Sequence, residues 1–183
     1  MKKQNLWITT GYEICSIHGL DGLKVEQLAR VVGVSKSSFY HHFADLECFT
    51  KILFDYHFEC CGILASKEKS CIQIYPDLIN ILLEHKTDLL FHRQLRIDRK
   101  NSQVEKALVK ANSILGNYSM MLWAKDINHN LSQNQLDGLF KIATDDFYMR
   151  INENNLNYEY LSSYFKELGK ATKQLVSQLY ATD

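Results

Sequence analysis

From Trp7 the apolar positions fall at Trp7, Ile8, Gly11, Ile14 and Cys15, the spacing of one helix face, and the run ends at His18-Gly19, where glycine suits a left-handed cap. After the turn Gly19-Leu20-Asp21-Gly22, the residues Val25, Leu28, Ala29 and Val32 predict a short second helix closed by Gly33. Ser35 offers an N-cap hydroxyl to a third helix, in which Phe39 and Phe43, four apart, make one buried stripe. Asp45 predicts the N-cap of a longer fourth helix carrying Phe49, Ile52, Leu53, Tyr56, Ile63 and Leu64.

Helical spacing continues beyond this segment. Lys67-Glu68-Lys69-Ser70 is a polar break and Pro76-Asp77 a helix start, with Leu78, Ile79, Leu82, Leu83, Leu89 and Leu90 in the fifth helix. His92 to Lys100 is basic and irregular and reads as a solvated connector. One long pattern then runs from Val104 through Leu108, Ala111, Leu115, Tyr118, Met121 and Leu122. The last two helices carry Leu136, Leu139, Phe140, Ala143, Phe147 and Ile151, then Leu161, Tyr164, Phe165, Leu168, Ala171, Leu175, Val176 and Leu179, joined by the polar turn Asn152-Glu153-Asn154-Asn155. The predicted class is all-α with about nine helices, divided into a head over residues 1–48 and a larger helical body over 49–183.

Composition sharpens this picture without changing it. Pro76 is the one proline in 183 residues, beside eight glycines, a scarcity of breakers that favours helices over strands and turns. Lys plus Arg number 21 and Asp plus Glu number 21, so any nucleic-acid partner must be met by a local surface. In the first fifty residues Lys2, Lys3, Lys24, Arg30 and Lys36 are balanced by Glu13, Asp21, Glu26, Asp45 and Glu47, a weak electrostatic footprint that predicts a shallow salt dependence. The five cysteines are odd in number, and Cys15 and Cys48 fall on faces that read as core, which fits a reducing cytosol. Neither a secretory signal nor an apolar run of membrane-spanning length is evident, so a soluble cytoplasmic protein is expected.

The informative stretch runs from Val25 to Phe43. Small Ala29 lets two helices cross closely, Gly33 permits the sharp turn between them, Val34 plugs the crossing and Phe39 anchors the second helix to the first. Lys36, Ser37, Tyr40 and His41 are left facing outward, short donors placed for a major groove and Tyr40, His41 and His42 within reach of phosphates. The helix N-terminus itself favours an anion.

From Trp7 to Phe49 the residues and their spacing resemble the TetR/AcrR family of transcriptional regulators, and Gly33-Val-Ser-Lys-Ser-Ser-Phe-Tyr-His-His-Phe43 is similar to that family's recognition helix. The resemblance implies a three-helix DNA-binding head, a helical body that binds a small-molecule inducer, and a homodimer built on the last two helices, most members being repressors. By position it implies DNA contacts at Ser35, Lys36, Ser37, Tyr40, His41 and His42. Lys24 stands where the family usually has a capping Ser or Thr that touches a phosphate, and replaces one contact with another; Leu46 stands where a Lys often reaches the backbone.

Other candidates are weighed beside these. Tyr118, Met120, Met121 and Trp123 are suited to an inducer pocket, with Tyr118, Met121 and Trp123 taken as ligand residues, although such side chains at helical spacing also suit plain core. Leu161, Phe165, Leu168, Leu175 and Leu179, with Phe140 and Phe147 on the preceding helix, make a stripe expected at a dimer interface. His57, Cys60 and Cys61 have the composition of a thiol or soft-metal sensor, but no CxxC or further Cys/His pair completes a ligand set, and core cysteines beside a surface histidine are expected instead. No metal site, cofactor or catalytic residue is predicted, since glycine-rich phosphate loops, nucleophile elbows and zinc helices are missing. A helical ligand carrier that does not bind DNA is the alternative of another class.

Overall fold

The computed structural model describes residues 2–127 and 131–180, and side chains within 4–125 and 131–177. Leu179 of the expected interface stripe falls outside the described side chains. Ten α-helices are present among the described residues: α1 Lys2–His18, α2 Val25–Val32, α3 Lys36–Tyr40, α4 Leu46–Lys69, α5 Ile79–Glu84, α6 Lys86–Ile97, α7 Ser102–Leu115, α8 Tyr118–Ile127, α9 Gln133–Arg150 and α10 Tyr158–Tyr180. The all-α class is as the spacing predicts, and no described helix is long and apolar enough to cross a membrane.

Three differences from the predicted elements have local causes. His92 to Lys100 is not an irregular connector: α6 runs to Ile97, and His92 and Leu95 are buried. The basic side chains hide its period, because Leu89, His92 and Leu95 share the inner face at three-residue steps. The pattern from Val104 to Leu122 is two helices, since Gly116 takes φ 68° and ends α7. The fifth element breaks at His85, whose φ of −107° and ψ of 30° leave the helical region without a glycine or proline to announce it.

The chain divides into two compact units. The first comprises Met1–Ile63 and Thr87–Leu115. Its core is aromatic: Trp7, Phe39, Phe43 and Phe49 meet with ring centroids 4.6 to 5.4 Å apart, Trp7 and Phe49 edge-on to Phe39. Leu53 and Phe54 of α4, Phe91 and Leu95 of α6, and Val104, Ala107 and Leu108 of α7 continue the same cluster. The apolar core therefore runs without interruption through positions 48 and 49, and the three head helices share it with α4, α6 and α7. At Gly11 a Cβ would lie 2.7 Å from the Phe49 ring, so α1 and α4 cross where only glycine fits without a shift of that ring.

The second unit comprises Leu64–Lys86 and Gly116–Asp183, in which α10 packs on α5 and α8, and α8 on α9. Ser132 caps α9 with a reciprocal bond pair to Gln135. Phe147 of α9 lies against Tyr164 and Phe165 of α10, and the Tyr164 hydroxyl is 3.1 Å from the Ala143 carbonyl. Glu68 is buried here, and loss of hydration lifts its carboxyl to about 7 against a hydrogen bond with Ser119.

Candidate nucleic-acid interface

The turn between α2 and α3 is built as its sequence requires. Gly33 caps α2 in the left-handed region, φ 76° and ψ 33°, and Val34 donates its N–H to the Ala29 carbonyl at 3.0 Å. Fully buried Phe39 then ties α3 to the aromatic core, which fixes the opposite face of this short helix toward solvent. Lys24, Ser35, Lys36, Ser37, Tyr40, His41 and His42 are all exposed, Tyr40 by 58%. The seven residues singled out from the sequence thus stand in water within one turn-and-helix segment and its approach.

Two details depart from expectation. Ser35 occupies the N-cap position, but its hydroxyl bonds the Ser37 hydroxyl at 2.8 Å and caps no backbone group. Lys36 is engaged as well: its ammonium donates to the Glu26 carboxylate of α2. That hydrogen bond, before any other influence, holds the exposed Glu26 carboxyl below the usual range. The partner stands ten residues upstream, across the turn, and could be found only by placing both residues on their helices. Asp45 caps α4 as predicted, accepting the Cys48 N–H at 2.7 Å, which also lowers its carboxyl. Lys24 precedes α2 without a side-chain cap, and Cys48, expected in the core, is exposed.

A second polar group of the same unit is buried. His57 is no surface residue: His57, Cys61 and His92 are each 1% exposed. The Tyr12 hydroxyl of α1 donates to Asp88 Oδ1 of α6 at 2.9 Å and accepts from His57 Nδ1 at 2.7 Å. His57 Nε2 lies 3.1 Å from His92 Nδ1 and 3.4 Å from Cys61 Sγ. His92 Nε2 donates to Asn112 Oδ1 at 3.1 Å, an oxygen that also accepts from Arg96. Burial holds both imidazoles neutral, taking His57 down to about 4 and His92 well below its ordinary value. Cys60 is half-buried beside Asp88, Tyr12 and Tyr56, and burial lifts its thiol to about 12. His57 and Cys61 continue the stripe Leu53-His57-Cys61-Leu64, a sequence signal of burial outweighed by the polarity of the histidine.

In the second unit Trp123 is buried, Tyr118 half-buried and Met121 exposed, so these three do not line a single enclosed space. Among the described residues nothing accepts the buried Trp123 indole N–H or pairs with the Ser162 hydroxyl. Of the residues expected at a dimer interface, Leu161 and Phe147 are buried within the chain, Phe140, Phe165 and Leu168 are half-buried, and Leu175 is exposed.

Residues 8–47 match the family model described as "Bacterial regulatory proteins, tetR family". The fold of nearly the whole chain is found in two solved structures. One, from Rhodococcus sp. and assigned to the TetR-family transcriptional regulators, has a TM-score of 0.57 at 17% identity and covers 94% of this chain and 97% of its own. The other, from Mesorhizobium loti MAFF303099 and assigned likewise, has a TM-score of 0.51 at 16% identity over 91% and 95%. No curated protein matches the chain. A helix-turn-helix head on an all-helical fold is the architecture that these comparisons define. Residues 8–47 are thus similar to the tetR-family model, in line with the sequence resemblance, and the two solved structures share the all-helical fold of nearly the whole chain.

Proposed function

We propose that the protein is a TetR-family transcriptional regulator that binds an inverted-repeat operator as a homodimer and represses transcription until a small, largely apolar inducer occupies its second unit. The observation that carries the DNA-binding part is the exposed set Lys36, Ser37, Tyr40, His41 and His42 on a helix anchored by Phe39. In this reading Lys36 leaves Glu26 to reach a base edge or phosphate, and Tyr40, one turn on, donates to a phosphate. Two heads related by a two-fold axis read two similar half-sites, about one helical turn or a near multiple apart.

Dimerisation through α9 and α10 is supported by their exposed apolar positions, Ile142, Met149 and Leu175, which suit a second copy of the chain. The inducer site is supported by the buried donors Trp123 and Ser162, polar groups that a ligand would satisfy. The cytosol is the compartment where such a regulator meets DNA, and neither cofactor nor catalysis enters the reading.

A mobility-shift titration against the promoter region near its own gene tests the proposal. Lys36→Ala is expected to weaken operator binding by about 1 to 3 kcal/mol per half-site and relax preference at one operator position. Tyr40→Phe is expected to weaken all sequences alike. If both folded variants bind as tightly as the parent, α3 is not the DNA-reading element.

A further inference from the structure

We propose that His57, Cys61 and His92 form a buried binding site for a thiophilic transition-metal ion, for which Zn2+ is the fitting probe. The three donor atoms lie within 4.8 Å of one another. Zn–N bonds of about 2.0 Å and Zn–S bonds of about 2.3 Å in tetrahedral geometry put the nitrogens about 3.3 Å apart and each about 3.5 Å from the sulfur. The observed His57–His92 and His57–Cys61 separations, 3.1 and 3.4 Å, require adjustments of only a few tenths of an ångström, and the His92–Cys61 pair, within 4.8 Å, closes toward about 3.5 Å on binding.

The surroundings prepare these atoms for a cation. Asp88 takes the single hydroxyl proton of Tyr12, so Tyr12 accepts from His57 Nδ1–H and leaves His57 Nε2 presenting its lone pair inward. At the other histidine Asn112 Oδ1, already accepting from Arg96, takes the Nε2–H and turns the Nδ1 lone pair inward. Metal-bound histidines are held in this way, by an acceptor on the outer nitrogen that fixes tautomer and ring; at His57 that acceptor is the Tyr12 hydroxyl, itself tied to Asp88. Two imidazoles and one thiolate favour Zn2+ or Cu+ over Mg2+ or Ca2+, which prefer oxygen. On binding, Cys61 releases its thiol proton to solvent, and the thiolate together with Asp88 balances the two positive charges of Zn2+. The sequence hides the set because His92 lies 35 residues beyond His57, on another helix.

The site also adjoins the head. Tyr12 belongs to α1, whose Trp7 packs edge-on to Phe39 beneath the exposed α3 residues. Loading the ion therefore tightens the attachment of α1 to α4 and α6, and DNA affinity becomes sensitive to the metal.

The test uses the full chain, reduced and stripped of metal, titrated first with Co2+ to read the thiolate-to-cobalt charge-transfer band and then with Zn2+ against a chromophoric chelator. One ion per chain is expected. Cys61→Ser should abolish the band and weaken Zn2+ by about 100-fold or more, His92→Gln should weaken it similarly, and Tyr12→Phe should keep the stoichiometry while losing about 10- to 100-fold. Cys60→Ser should bind like the parent. X-ray absorption of the Zn2+-loaded parent, independent of any variant's folding, should give one sulfur and two imidazoles. An absence of stoichiometric binding, an undiminished Cys61→Ser variant, or loss of the band in Cys60→Ser overturns the proposal. Because metal binding is read without DNA, its failure leaves the regulator reading untouched, and a failure to bind operator leaves the metal site standing.

Discussion

Tyr40, His41 and His42 stand in water on α3 and the turn after it, whereas Tyr12, His57 and His92, the same two residue types, are closed between α1, α4 and α6. The exposed set keeps its hydration and needs no partner to be stable, so it is free to meet a variable polyanion. The buried set has lost its hydration, and each member is held by a neighbour within 3.4 Å. One polar cluster is thus organised by the solvent it faces and the other by the bonds around it. Substitutions in the first should change binding with little effect on folding, and substitutions in the second should do both.

The largest effect comes from the support that holds the exposed set in place. Phe39→Ala removes a fully buried ring shared with Trp7, Phe43 and Phe49 and should cost about 3 to 5 kcal/mol in urea unfolding followed by circular dichroism. Lys36→Ala, on the opposite face, should stay within about 0.5 kcal/mol of the parent; comparable losses in the two would break the distinction.

Burial should also be visible in a pH profile. The Glu68 carboxyl is raised from its ordinary 4.5 to about 7, so the folded chain holds this proton more tightly than the unfolded chain. Its contribution is fully present below pH ~4.5 and is lost as pH rises through ~7. Glu68→Gln, which mimics the protonated acid, should match the parent near pH ~4.5 and exceed it by about 3 kcal/mol above pH ~7. A parallel pair of pH–stability curves would contradict that account.

Tyr12→Phe tests the buried set directly, leaving Asp88 Oδ1 and His57 Nδ1 without the hydroxyl between them. It should cost about 1 to 3 kcal/mol by thermal unfolding of the metal-free chain. The smallest effect is expected on the exposed face, where Glu26→Gln releases Lys36 and removes the acid paired with it. Operator affinity should rise a few-fold and depend more steeply on salt, while the melting temperature stays near that of the parent.

Legibility in the sequence followed the same division. The exposed set was readable because its scaffold is local: Ala29, Gly33, Phe39 and Phe43 lie within fifteen residues and dictate which positions remain outside. The first four helices and the Asp45 cap were legible for the same reason. The buried set was not, because it is assembled from α1, α4, α6 and α7, and His92 lay in a stretch whose arginines masked its helical period. The helix break at His85 carries no breaker residue, and the break at Gly116 interrupts an apolar spacing that continues on both sides. In the last two helices the spacing identified apolar positions correctly, but it could not separate Leu161 and Phe147, consumed by packing within the chain, from Leu175, which is not.

The chain contains two tryptophans, and the fold places one in each unit: Trp7 beneath α3 and Trp123 in α8, both buried. Each unit therefore carries its own optical reporter. With Trp123→Phe the remaining indole follows the loosening of the aromatic core under α3, and with Trp7→Phe it follows the second unit. The emission of two single-tryptophan variants can accordingly time which half of the molecule yields first to heat or denaturant, with no label attached.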